Sequence, residues 1–304
     1  MSGRSALTWS RKWRTSALFP IPAEPCTSAM TVLPRSASSA ASASAQTCVS
    51  RPTKVGARSS AVEGAAAKPT LKPPFPFERG LGGAPTLVQN TETLAHLALI
   101  ARFGAGWFRS LGTEAEPGSA LVTLSGAVTR PGVYEIELGT PLSEVVAQAG
   151  GTQEPVNAFL VGGYFGAWTR DEQLQLTAAN GLGAGVVIAL PASACALRVS
   201  ARVARYLADA SAGQCGPCRH GLPALATGLE RIVAGEGGDR RDTLNRWARQ
   251  VSGRGACRHP DGAARFVQST LSVFADEIAT HLRNGRCTAG AQNGDPTPTA
   301  WRTR

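Results

Sequence analysis

No apolar run in the 304-residue chain reaches the roughly 18 residues that a membrane-spanning helix needs. No apolar block of signal-peptide length follows the N-terminal charges either, so a cytoplasmic protein is expected, peripheral to a membrane only through partner subunits. Charged residues are 17% of the chain, below the usual quarter or so, and aromatics are 6%. With so few aromatics and no face that interleaves them with basic residues, a nucleic-acid groove is not expected. The net charge of +10 does not change this, because it is concentrated at one end. Residues 1–75 hold ten Lys/Arg against Glu24 and Glu63, a net +8, which leaves +2 for the other 229 residues.

Residues 1–65 lack both helical and strand periodicity. The run from Ser36 to Ala45 is built from Ser and Ala alone. Such a segment buries too little apolar area to offset its ordering entropy and reads as disordered. A solvated tail, an Arg/Ser-rich organellar presequence and a shifted frame or wrong start joined to a genuine downstream domain are the readings open for it.

Order is expected from residue 66 onward, giving an α+β chain. Residues 66–117 begin with a Pro-rich stretch, Pro69 to Pro76, and Gly80, Gly82 and Gly83, read as an extended linker. A helix follows from Asn90 or Thr91 as cap to about Phe103, with Gly104 as its stop. Residues 118–192 switch to strand signals: Ala120–Leu124, the turn Thr129 to Gly132, the period-two segment Val133–Leu138, then Phe159–Val161 and Val186–Leu190. A helix starts at Thr140-Pro141 and stops at Gly150-Gly151. Strand–turn–strand–helix–strand in so short a span suggests a small β-grasp, ubiquitin-like domain. Residues 198–287 turn helical, with helices near 198–210, 222–234, 239–253 and 261–283, which would pack as a four-helix bundle. The last carries Val267, Leu271, Phe274, Ile278 and Leu282 on one face. Residues 288–304 form a disordered tail.

Seven cysteines, an odd number in a large chain, favour reduced thiols, metal ligands or a cluster over a disulfide framework. Cys215-Gly216-Pro217-Cys218 is the sharpest feature. Two thiolates three residues apart on a Gly/Pro turn can grip one metal or one cluster edge, and Cys257, in the loop before the last helix, could join them. A thioredoxin-like pair is less apt because no βαβ context surrounds it. Cys257 with His259 could instead complete a Cys3His zinc site, or His259 is an ordinary loop histidine. Cys195 reads as a buried structural thiol and Cys287 as an ordinary one. Gly181-Leu182-Gly183-Ala184-Gly185 reads as a turn into a strand, since a phosphate cradle would need a helix after it. No Ser/His/Asp set or paired carboxylates are readable, so no catalytic residues are assigned.

Several of these pieces occur in a familiar order. Pro85-Thr86-Leu87-Val88-Gln89-Asn90-Thr91-Glu92-Thr93, Gly104 to Phe108, Ser125 to Glu135 and Gly213-Gln214-Cys215-Gly216-Pro217-Cys218-Arg219-His220-Gly221, with the distant Cys257, resemble segments of the NADH-binding flavoprotein subunit of respiratory complex I and related NADH dehydrogenases. The resemblance covers about residues 66–287. It implies a soluble-ligand-binding β-grasp domain and an iron–sulfur helical domain. It also implies electron transfer from FMN, reduced by NADH, to a [4Fe-4S] cluster in a complex with other subunits. By resemblance Cys215, Cys218 and Cys257 would be cluster ligands, and Asn90 and Thr93 would lie along the flavin edge.

Two departures limit what is implied. The family has a further cysteine three residues before Cys215, where this chain has Ala212, whose methyl cannot coordinate iron. A fourth bond would have to come from His220, Cys195, another protein or a small ligand. Residues 1–63 contain only Gly3 and Gly56, so the Gly-rich loops that would hold FMN and nucleotide phosphates are not there. FMN is therefore not expected in this chain. The expected function is the electron-transfer portion of such a flavoprotein, without a complete NADH/FMN half. The alternative is a non-catalytic binding or assembly module with a vestigial or zinc-holding cysteine site.

Overall fold

The computed structural model describes residues 30–32, 75–236, 238 and 240–285. The expectations for residues 1–29, 33–74 and 286–304, including Cys26, Cys48 and Cys287, lie outside them. The described chain forms two compact units, divided between His96 and Leu97.

In the first unit, strand β1 (Met30–Val32) pairs antiparallel with β2 (Leu87–Gln89). The glycines expected to form part of an extended linker are instead wound around Thr86. Its N–H donates to the Pro76 carbonyl, and its hydroxyl takes the Leu81 N–H at 2.9 Å and donates to the Ala84 carbonyl. Buried Thr86 leaves no room for a side chain at Gly80, so that position is confined to glycine by packing. Helix α1 (Thr91–Phe103) opens as anticipated, with the Asn90 carbonyl accepting from the Leu94 N–H.

In the second unit, Gly104 at φ +85 separates α1 from a short helix, α2 (Ala105–Phe108). The strands β3 (Ser119–Gly126), β4 (Gly132–Glu137), β5 (Val156–Val161), β6 (Ala167–Thr169) and β7 (Val186–Pro191) form one sheet. Its order is β4-β3-β7-β5-β6. Only β3 and β7 run parallel, at the centre, which is the β-grasp arrangement. Helix α3 (Leu142–Gln148) crosses one face and buries Leu142, Val145 and Val146. Gly126 lies so close to the Ala189 carbonyl that a Cβ would collide with it, so the parallel pair can close only over glycine.

The continuous apolar runs in β5 and β7 have a simple cause: both faces of these strands are covered. Phe159, Val161, Val187 and Ala189 pack against α3, while the alternate residues Ala158, Leu160, Ile188 and Leu190 join a second core with the helices that follow. Burying a large apolar side chain contributes roughly 1.5–3 kcal/mol, so this second layer is a major part of the fold.

Helices α4 (Ala196–Asp209), α5 (Leu222–Val233) and α6 (Arg241–Val251) bear out the expected helical region. The single last helix expected from periodicity is two, α7 (His259–Val273) and α8 (Ala275–Asn284), parted at Phe274, where φ is −107° and ψ 30°. The apolar face runs on through the break, which is why periodicity does not reveal it. The Thr270 hydroxyl donates to the Phe266 carbonyl one turn back, a bond that loosens the helical ladder. Phe274, fully buried, meets the Trp168 ring edge-on at 5.3 Å. Strand β6, which no sequence signal announces, carries that tryptophan, and its N–H donates to the Ser269 hydroxyl of α7.

Candidate metal centre

Two loops at one end of the helices carry the thiols. The first leaves α4 at Ala210 and reaches Cys215 through Gly213 at φ +65. Cys215 and Cys218 then form a tight turn in which the Arg219 N–H donates to the Cys215 carbonyl at 2.9 Å. Pro217–Gly221 is a single wide π-turn ahead of α5, a local widening often found at functional sites. It directs Cys218 into the helical core and leaves Cys215 half-buried against that core.

The second loop joins α6 to α7 and holds the exposed Cys257. Asp261, in the first turn of α7, anchors it by accepting the Gly253 N–H at 2.7 Å and pairing with Arg258 at 3.2 Å. The Gly253 N–H, followed by Arg258, holds the Asp261 carboxyl below the usual carboxylate range.

The loops meet at one sulfur. The Ala256 N–H points at the Cys215 thiol and, with the Cys218 N–H and thiol, draws it below the ordinary thiol range. Cys218 moves the other way. Burial pushes it up, the Cys215 and Cys257 sulfurs add to this through their charge, and the Ser211 hydroxyl, hydrogen-bonded to Cys218, works against it. The two thiols are thus shifted in opposite directions. Hydrogen bonds from backbone N–H groups to sulfur are a principal means by which proteins tune an iron–sulfur centre.

The structure thus brings Cys215 and Cys218 into contact and Cys257 within electrostatic reach of Cys218. Among the described residues, no group of three His, Cys, Asp or Glu side chains could hold a single metal ion, and nothing in the structure favours zinc. His259 is the first residue of α7. Its Nε2 lies 2.8 Å from the Leu207 carbonyl, and its ring packs edge-on against Phe165 at 5.2 Å, so Nε2 is committed away from the thiols. His220 is exposed on the π-turn. Cys195 has the structural role expected of it: it accepts the Arg198 N–H at the start of α4 and lies 3.3 Å from His281 Nε2 in the core. Asn90 and Thr93 belong to the first unit, both exposed at the head of α1. Sequence reasoning missed Ser211 and the Ala256 N–H. The first adjoins the noted Ala212, and the second is a backbone group with no signature.

Comparison with known proteins gives two matched regions. Residues 198–281 match the model of the NADH-ubiquinone oxidoreductase-F iron-sulfur binding region, and residues 121–164 match that of the SLBB domain. An NADH-quinone oxidoreductase subunit of Rhizobium meliloti is 36% identical over 239 residues, which are 74% of this chain and 56% of that protein. The corresponding NADH-quinone oxidoreductase subunit of Mycobacterium bovis is 35% identical over 237 residues, 74% of this chain and 53% of that protein. The chain therefore spans about half the length of the curated relatives it matches. A crystal structure of an NAD+-reducing [NiFe]-hydrogenase in its H2-reduced state superposes with a TM-score of 0.65 at 28% identity, covering 76% of this chain and 40% of that one. Among the described residues, no helix is long and apolar enough to cross a membrane. With an SLBB region on the β-grasp sheet and an iron–sulfur-binding region on the helices that carry the three thiols, the chain belongs to the family of NADH-dehydrogenase flavoprotein subunits.

Proposed function

We propose that this chain is the iron–sulfur, electron-transferring portion of an NADH-dehydrogenase-like flavoprotein, working beside other subunits of an electron-transfer complex. The related proteins are named as subunits of NADH-quinone oxidoreductases, which supports such partners. Cys215, Cys218 and Cys257 would hold a [4Fe-4S] cluster at three of its corners. When bound, the cluster supplies one-electron transfer. The chain's own residues govern its surroundings. Cys218 is withdrawn from water, and the Ala256 and Cys218 N–H groups stabilise negative charge on the Cys215 sulfur. Asp261 fixes the loop that presents Cys257. The observation that carries this reading is His259, two residues after Cys257, whose Nε2 lies 2.8 Å from the Leu207 carbonyl near the end of α4 and so ties the loop of Cys257 to the helix end from which the Cys215–Cys218 loop leaves.

Asn90 and Thr93 would line the flavin edge of the complete enzyme. Residues 1–63 offer only two glycines for a phosphate cradle, so in this reading the chain by itself takes no hydride from NADH. Anaerobic incubation with iron and sulfide tests the proposal. The expected product is brown, with broad visible absorption that dithionite bleaches; protein that stays colourless would sink the cluster assignment. Flavin-dependent NADH–ferricyanide turnover by the pure chain would overturn the second part.

A further inference from the structure

The small net charge of residues 76–304 hides two opposite halves. Residues 112–192, which include the sheet, hold eight Asp/Glu against Arg130 and Arg170, a net −6. Residues 193–285, which include helices α4 to α8, hold thirteen Arg and no Lys against eight Asp/Glu, a net +5. Part of this excess gathers at the end that carries the thiols. Val251 fills the space beside Gly221 and leaves none for a side chain there, which sets the end of α6 against the π-turn. His259 Nε2, 2.8 Å from the Leu207 carbonyl, sets the start of α7 against the end of α4. Residues 209–221 and 246–261 therefore share one end of the helices, and they carry five Arg against Asp209 and Asp261. Both acids are matched within the chain. Asp261 pairs with Arg258 at 3.2 Å and accepts the Gly253 N–H, and Asp209 lies one turn past Arg205 on α4. That leaves Arg219, Arg246, Arg249 and Arg254, all exposed and, among the described residues, paired with no carboxylate. His220, exposed beside Arg219, brings no negative charge.

We propose that this end of the helices is a docking surface for an acidic protein, whose carboxylates pair with Arg219, Arg246, Arg249 and Arg254. This rests on the reading above only in taking the partner to be an electron-transfer protein; the surface itself needs no cluster. Its composition favours a protein over a membrane or a nucleic acid. Phe165, 42% exposed, stands edge-on to the His259 ring at 5.2 Å, and Tyr206, 43% exposed, is the residue before Leu207. Protein interfaces are enriched in Arg, Tyr and Phe and depleted in Lys, and a planar guanidinium grips a carboxylate with two parallel hydrogen bonds. A second copy could offer its acidic sheet only head to tail, an arrangement that ends in a ring or a fibre.

The test measures binding of the full chain to two fluorescent probes, a plant-type [2Fe-2S] ferredoxin as a small acidic electron carrier and poly-L-glutamate. Both should bind at low ionic strength and weaken at least about tenfold between ~20 and ~200 mM salt. The double variant Arg249→Glu/Arg254→Glu should lose at least about tenfold in affinity for the ferredoxin. Arg231→Glu/Arg283→Glu, the same charge change on α5 and α8 away from the thiols, should bind as wild type. The basic segment of residues 1–75 is common to all three proteins, so it cannot produce a difference between them. Failure of both probes to bind at low salt would overturn the proposal, as would equal losses in the two double variants. Tighter binding to duplex DNA or to phosphatidylserine vesicles than to the ferredoxin would also overturn it. Salt-sensitive self-assembly without a probe, lost in Arg249→Glu/Arg254→Glu, would give the surface to a second copy instead. All binding is measured before iron is added, so a colourless reconstitution would leave this inference standing, and failure to bind would leave the cluster reading standing.

Discussion

Cys195 and the Cys215–Cys218 pair sit on the same helical layer but in opposite chemical settings. Cys195 is 6% exposed and His281 1% exposed. The His281 ring has one nitrogen at 3.0 Å from the Val233 carbonyl and the other at the thiol, so the pair is closed off by the core. Cys215 is half-buried in a loop, with N–H groups of two loops aimed at its sulfur. The first arrangement neutralises polar atoms that folding has buried. The second gathers negative charge at a surface where a cofactor can enter. A cysteine's use is therefore set less by its burial than by the donors around its sulfur and by access to it.

Paired substitutions should separate the two settings most sharply. Cys218→Ser is expected to abolish iron uptake on reconstitution, whereas Cys195→Ser should retain it; equal iron contents in the two would break the distinction. Next in size is stability. Phe274→Ala, which empties the contact with Trp168 beneath α8, should cost about 3–5 kcal/mol in urea titrations, and Cys215→Ser far less. His281→Ala would leave the Val233 carbonyl and the Cys195 thiol without their shared partner and open a cavity, at a cost of at least about 2 kcal/mol. A near-neutral result would mean the pair is not structural.

Reactivity gives a finer measure. Because Cys215 lies below the ordinary thiol range, its thiolate persists to lower pH, so its alkylation in the apo protein should reach half-maximum at a lower pH than that of free cysteine. A midpoint above that of free cysteine would contradict the Ala256 contact. The smallest effect is expected at the Arg205–Glu230 fork between α4 and α5, where both side chains are partly exposed. Arg205→Met should change stability by less than about 1 kcal/mol.

The sequence was readable where chemistry repeats along the chain. The alternation at Tyr134 and Ile136, the glycine stop at Gly104 and the apolar runs of β5 and β7 each pointed to the element that forms. Cys215-Gly216-Pro217-Cys218 pointed to the site. Strand β6 gave no signal because three residues are too few for a period and only Trp168 is buried in it. The break at Phe274 was hidden because the apolar stripe continues through it. Ser211, the Ala256 N–H and the Cys195–His281 pair depend on contacts between segments distant along the chain, and backbone donors have no residue type to announce them.

Helix α7 ties the sheet to the thiol loops. Its first turn holds the Cys257 loop through Asp261, and its middle is fastened to the sheet through Ser269 and Trp168. A load on β6 would therefore act on the same rod whose first turn holds the loop of Cys257. Strain at β6 has a short route along α7 to that loop, so the helix makes the sheet a lever on the thiols as well as a scaffold for them.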